Sequence, residues 1–357
     1  MGIKIPGKMG KYGIIRHNPS LSAATAFKAI GSTNNQWTNP VLEATNFRTI
    51  YFNALSPKID PGSQVDYMNL TSQVGLNKEL SNFYIDKVSN LAKFNFSMLA
   101  DKNTLSAILA MAFQAVSVPL TGDNSFYPGF KAGTIDFNGN GGYTFGLCEK
   151  IGASADDGAL LQNGIMDSVT FVFDFLNKGV ARLAQINGTM AFKSVAFDKT
   201  LTGTFVETTL APIGDAGTWI VSTFSSDSVD LKSLCIRRLE ITINNKVSAS
   251  CATTDGAPNQ FDCDPEYLCN IVVDHGTLTE KLRNDFVNGA TVALNIKNQP
   301  SLTTGYFEID IPVMKMESEP SAYNGDYYGY NMQMEVYQNG TNAPMTVRFL
   351  DALDWGF

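Results

Sequence analysis

Asp136-Phe137-Asn138-Gly139-Asn140-Gly141 has the oxygen-rich, glycine-turned opening of a calcium loop. An EF-hand closes on a bidentate Glu at its twelfth position. Leu147 occupies that position and a strand follows instead of a helix, so the stretch reads as a turn into a strand. Asp255, Asp262, Asp264 and Glu266 crowd a second stretch. Paired carboxylates serve glycoside hydrolysis when held at the right separation, and acid clusters can hold cations. The reading preferred for these four is a flexible acidic loop. Two histidines, His17 and His275, leave little for imidazole acid–base or triad chemistry. The five cysteines (Cys148, Cys235, Cys251, Cys263, Cys269) are odd in number and lack C-x-x-C spacing, which favours reduced structural thiols over a zinc site. The glycines of 138–142 have no Lys and no following helix, so they are not a phosphate cradle. Neither a G-x-S-x-G elbow nor a Walker A or dinucleotide fingerprint stands in a strand–helix context. Arg237 and Arg238 fall in an alternating strand and point to opposite faces. Phe and Tyr sit at strand-core spacings, as packing and not as base-stacking platforms. The expectation is a protein that is not an enzyme, with no catalytic residue, no cofactor and no metal.

The elements around these residues are organised by one stretch written twice. Thr104 to Phe113 and Thr277 to Phe286 both fit T-L-[S/T]-x-x-L-x-x-x-F. Leu105, Ile108, Leu109 and Ala112 make the i, i+3, i+4, i+7 stripe of a one-sided helix. Leu278, Leu282 and Phe286 make a narrower one. Thr277 and Glu280 spell a capping box, which predicts the second helix start. The first copy is apolar nearly all round, whereas the second carries Glu280, Lys281, Arg283 and Asp285. The first helix is therefore expected to be covered more fully, and the second to face solvent.

Each copy has similar surroundings. A strand is predicted at 47–55, then a long loop at 56–82 broken by Pro57, Pro61 and Gly62, then a strand-like run from Tyr84 to Met98 before the helix. Tyr143 to Cys148 follows, and then a hairpin in which Val169, Phe171, Phe173 and Phe175 alternate with polar or smaller residues, turning at Asn177-Lys178-Gly179. In the second half Leu239, Ile241 and Ile243 alternate, a loop runs over 246–266, and a strand at 268–273 leads into the helix. Strands at 290–296, 307–311, 332–336 and 346–350 close the order. The join falls near Ala211 to Gly217, with Pro212, Gly214 and Gly217.

The totals fit two units better than one: 357 residues, 44% hydrophobic and 17% charged. Two explanations of the low charge stand, a large self-association surface or a surface of Asn, Ser, Thr and Gly. A net charge of -8 argues against a chain that grips nucleic acid, though not against one that nucleic acid slides past. No apolar run is long enough to span a membrane, and the N-terminus lacks a signal-peptide core, so folding in a cytoplasm is expected. Residues 1–42 are basic and loop-like; Lys4, Lys8, Lys11 and Arg16 belong either to a solvated tail or to an arm lying on a neighbouring acidic subunit.

This order resembles the tail tube proteins of long, non-contractile phage tails, in the subgroup with two tandem tube domains. The resemblance rests on 94–113, on 141–149 with 163–171, on 239–245, and on 307–312 with 330–338. It consists of hydrophobic pattern and element order and carries over no functional residue. It implies a mainly β chain of two tandem tail-tube-type β-sandwich or barrel domains, each with one flanking helix, at 43–212 and 213–357 after the arm at 1–42. It further implies homotrimeric, pseudo-sixfold rings stacked into a virion tube, assembled in the host cytoplasm. Genomic DNA and a tape measure protein would occupy the lumen, and tail terminator and distal tail proteins the ends. The loops holding Pro57, Asp60, Pro61, Asp66 and Tyr67, and Asp255, Asp262, Asp264 and Glu266, would reach the adjacent ring. A tail terminator or head–tail connector of related fold, or a carbohydrate-binding β-sandwich, is the alternative.

Overall fold

In a computed structural model, alternation translates directly into strands. The structure describes residues 10–17, 48–53, 57–60, 64–66, 84–86, 91–114, 116–120, 123–126, 133–136, 144–151, 158–175, 184–196, 210–213, 219–249, 260–276, 278–300, 306–324, 328–338, 340 and 343–350. The architecture is mainly β and its ladders are antiparallel.

The first half runs β1 (Gly10–His17), β2 (Arg48–Ile50), β3 (Lys58–Asp60), β4 (Gln64–Asp66), β5 (Tyr84–Asp86) and β6 (Ala92–Leu99) into helix α1 (Leu105–Phe113). Then come β7 (Val116–Leu120), β8 (Asp123–Phe126), β9 (Gly133–Asp136), β10 (Thr144–Ile151), β11 (Gly158–Asp174) and β12 (Gln185–Ala196). The second half runs β13 (Ile220–Ser226), β14 (Val229–Asp230), β15 (Ile236–Asn244), β16 (Ser248–Ala249), β17 (Gln260–Cys263) and β18 (Glu266–Asp274) into α2 (Thr279–Asn288). It ends with β19 (Val292–Lys297), β20 (Phe307–Met316), β21 (Ser321–Asn324), β22 (Tyr328–Val336) and β23 (Thr346–Leu350).

The pairings repeat. β3 pairs β6, β6 pairs β12, β12 pairs β11 and β11 pairs β10, which in turn takes β1. Likewise β15 pairs β18, β18 pairs β22, β22 pairs β20 and β20 pairs β19, which takes β13. The registers agree in detail. Ile59 lies opposite Phe94, and Ile243 opposite Tyr267. Equal steps forward from Phe94 and Tyr267 reach Thr104 and Thr277, the first residues of the repeated helix stretch. The β4–β5 and β16–β17 hairpins begin at equal steps beyond Ile59 and Ile243.

Several expectations change. The segment 10–17, expected to be loop-like, is a strand that pairs with β10 and with β2. Both long loops contain paired strands, because Ile59 and Val65 in the first and Phe261 in the second supply β-forming residues between the turn residues. Of the described residues in the 47–55 stretch, Arg48–Ile50 are strand and 51–53 are not. Thr277 of the expected capping box lies outside the described residues; α2 starts at Thr279 with Leu278 at its N-cap and no side-chain cap there, and the Thr279 hydroxyl donates to the Gly276 carbonyl at 2.6 Å. β23 does not end its sheet but lies between β20 and β8.

One buried cluster runs through both halves, from Phe94, Phe171 and Phe192 to Ile241, Ile271, Phe307 and Met332. Each such side chain removed from water contributes about 1.5–3 kcal/mol. An aromatic chain continues across the join: Phe173 to Trp219 at 4.8 Å, Trp219 to Phe307 at 6.1 Å and Phe307 to Phe349 at 6.2 Å between ring centroids. The expected contrast between the helices is present. Every residue of α1 is buried, while α2 buries Thr279, Leu282 and Asp285 and leaves Val287 81% exposed. Among the described elements β11, β10 and β8 pack on α1, and β8 belongs to the strands β7, β8 and β9 that lie between α1 and β10 in sequence. Only Gly289 to Thr291 separate α2 from β19.

Candidate interface: the sheet junction and its open face

The two passes of the repeat meet in one ladder. The last part of β11 pairs with β15, Ser168 opposite Asn244 through Asp174 opposite Arg238. Val169, Phe171 and Phe173 face the core beside Leu239, Ile241 and Ile243, all fully or almost fully buried. The period-two rule then puts Thr170 and Thr242 on the other face, where their hydroxyls hydrogen-bond at 2.9 Å. The result is a continuous sheet in the order β3, β6, β12, β11, β15, β18, β22.

That sheet's second face is polar. Thr189 donates to Asn95 at 2.7 Å, Asn53 to Ser97 at 2.9 Å and Asn270 to Glu240 at 3.4 Å. Two charge pairs lie on it, Lys93 with Asp167 at 3.0 Å and Arg238 with Glu240 at 2.5 Å. Exposed pairs of this kind hold side chains in place and contribute little stability. Arg237 forms a two-pronged pair with Asp274 that ties the ends of β15 and β18 together. A bulge between Ile236 and Arg238 interrupts the alternation at Arg237, so the simple period-two rule does not assign the two arginines to opposite faces.

A bulge between Met166 and Ser168 on β11 supplies the lock of the junction. Asp167 accepts from Lys93 Nζ at 3.0 Å and from the Val247 N–H at 2.8 Å, and its own carbonyl accepts from the Asn245 N–H at 2.7 Å. The buried Asn245 side chain donates to the carbonyls of Ala112 at 3.0 Å and Met166 at 2.9 Å. Val247 and Cys263 then close a small apolar cluster over Ile165 and Ala191 of the first half.

At the other end of α1 the join is clamped. Asp101 Oδ1 accepts from the Ala211 N–H at 2.6 Å, and Oδ2 accepts from the Asn103 N–H at 3.3 Å and the Thr104 hydroxyl at 3.5 Å. The Ile213 N–H donates to the Ala100 carbonyl at 2.8 Å. Burial pushes the Asp101 carboxyl above its ordinary range, against the lowering effect of the Ala211 and Asn103 N–H groups. Sequence reasoning read 211–217 as a breaker segment; Asp101, which binds its first residue, carries no sequence signal except its position three residues ahead of Thr104.

The candidate loop residues disperse. Asp262 lies on β17, which pairs with β9, so this segment is tied to the first half of its own chain. Asp264 is exposed, and Glu266 pairs with Lys246 at 3.2 Å. Pro57 is half-buried, Asp60 is exposed on β3 and Asp66 lies on β4. Lys11 is exposed on β1, which also holds Arg16. Pro61, Tyr67, Asp255, Lys4 and Lys8 lie outside the described residues, as do the calcium-like stretch after Asp136 and Cys251. Among the described residues no group of three or more His, Cys, Asp or Glu could hold a metal ion. The four described cysteines are free thiols; Cys148, Cys263 and Cys269 are buried and Cys235 is exposed. Burial holds Cys148 and Cys269 well above the usual thiol range and pushes Cys263 up to about 12. No described helix is long and apolar enough to cross a membrane. No protein-family model matches the chain, and no curated protein matches it in sequence.

Proposed function

We propose that this chain is a structural subunit that assembles with copies of itself into rings, and that the stacked rings form a tail tube of the long, non-contractile phage type. Its two passes act as tandem tube units, each a β-sandwich with one flanking helix. Three copies make a pseudo-sixfold ring. The observation that carries this reading is the β11–β15 ladder, in which one unit extends the sheet of the next without a break. A unit that pairs with its neighbour edge to edge has a natural continuation in more units, and ring closure removes the remaining open edges.

The polar face of the joined sheet suits a channel lining. Its hydroxyls and carboxamides pair with one another, and Lys93 and Arg238 are neutralised by Asp167 and Glu240. Such a surface offers DNA phosphates little to hold, in keeping with the net charge of -8. Under this reading the tape measure protein and the genome share the lumen, and terminator and distal tail proteins cap the ends.

Electron microscopy of the purified chain tests the proposal. Stacked rings with an open channel are the expected result. A protein that stays monomeric at every concentration, or binds glycans as a monomer, refutes it.

A further inference from the structure

The internal junction specifies the residues of an external one. Ile186 lies opposite Met98 and Met332 opposite Ile271, at equal distances ahead of the two copies of the helix stretch. Three residues further on, Thr189 faces Ser168 and Glu335 faces Lys315. Lys315 thus occupies in the second pass the place of Ser168 in the first. Met316 and Glu317 follow in the places of Val169 and Thr170. On the incoming strand Ile59 is the counterpart of Ile243, so Lys58 and Asp60 stand for Thr242 and Asn244.

In the first pass this edge is filled by β15. In the second pass, among the described residues, 315–317 form a ladder with β22 alone, and β3 forms one with β6 alone. We propose that the two edges join between copies of this chain, in the register already used by β11 and β15. The contact places Lys315 opposite Asp60, Met316 opposite Ile59 and Glu317 opposite Lys58. This rests on the self-assembly reading above and adds the residues that execute it.

The charges favour a second copy as the occupant. Lys58, Asp60, Lys315 and Glu317 are exposed, while Ile59 and Met316 are half-buried beside the core. A lone charged residue on an edge strand merely discourages pairing. Here the signs are opposite at both charged positions of the imposed register, and the middle position pairs two apolar residues. Opposite charges across antiparallel strands favour pairing and like charges disfavour it. The within-chain counterparts are the uncharged pairs Ser168–Asn244 and Thr170–Thr242, so charge distinguishes the joint between copies from the joint inside one.

Charge reversal tests the register. The variants Lys315→Glu with Glu317→Lys, and Lys58→Glu with Asp60→Lys, each set like charges against each other. Either double variant is expected to raise the concentration needed for assembly by about tenfold or more, read by analytical ultracentrifugation. Lys315 also lies opposite Glu335 and Asp60 opposite Lys93 within the chain, so circular dichroism and thermal unfolding of the monomers separate a loss of assembly from a loss of fold, and variants that keep the wild-type fold are the ones compared. The quadruple variant restores opposite signs and should recover assembly. Double variants that assemble like the wild type, or a quadruple variant that does not recover, overturn the register and leave self-assembly standing. A wild-type chain that never assembles overturns both.

Discussion

Asn245, in the second half of the chain, donates its side-chain amide to the Ala112 carbonyl in the last turn of α1, 133 residues earlier. A helix leaves its last carbonyls without partners in its own backbone, and here a residue of the other half supplies one. The same amide serves the bulge carbonyl of Met166. Replacing Asn245 with Leu leaves two buried carbonyls without donors. The expected cost is about 1–3 kcal/mol, measured by urea unfolding. Asn245→Asp should cost more, because it turns a carboxylate towards two carbonyls.

Asp101 should make stability depend on pH. Its folded pKa lies above the ordinary 3.8, chiefly through burial. A proton therefore binds the folded state more tightly, and the contribution is fully present below 3.8 and fades as pH rises through the folded value. The stability difference between wild type and Asp101→Asn should shift against the wild type as pH rises through that window. Denaturation of both proteins across a pH series checks it. A constant difference would refute the assignment.

The two helices should respond oppositely to surface chemistry. Ala110 is fully buried in α1, so Ala110→Glu should prevent folding or cost several kcal/mol by burying an unpaired charge. Val287 on α2 is 81% exposed, and Val287→Ser should stay within about 0.5 kcal/mol. Leu109→Ala should cost about 2–5 kcal/mol through the cavity it leaves. Thermal unfolding of the three variants is sufficient.

The Thr170–Thr242 hydrogen bond crosses the junction on its polar face. A double-mutant cycle with Thr170→Val and Thr242→Val should give a coupling of about 0.2–1 kcal/mol. A coupling of zero would mean that the backbone ladder and the buried Phe171–Ile241 side hold the junction unaided.

Period and composition by themselves determined most of the elements. Alternation located β6, β11, β15, β20 and β22, because a strand with one buried face must place apolar residues at every second position. The apolar coat of α1 and the charged face of α2 forecast their different burial, since each side chain reports the polarity of what lies against it. The doubled T-L-[S/T]-x-x-L-x-x-x-F stretch marked the repeat. Short strands inside the long loops escaped, because a three-residue strand is too brief for a period, and the partners that stabilise β3 and β17 lie far away in sequence. The helix start was missed for a related reason: the Thr279 hydroxyl found the Gly276 carbonyl, and α2 begins one residue later than a Thr277 N-cap requires. Only the tertiary structure decided that β15 completes the edge of β11, that Asp101 binds the Ala211 N–H and that Asn245 takes a carbonyl in the last turn of α1. Each is a pairing between distant backbone groups, and single residues such as Asn or Asp announce a hydrogen-bonding capacity without naming the partner that uses it.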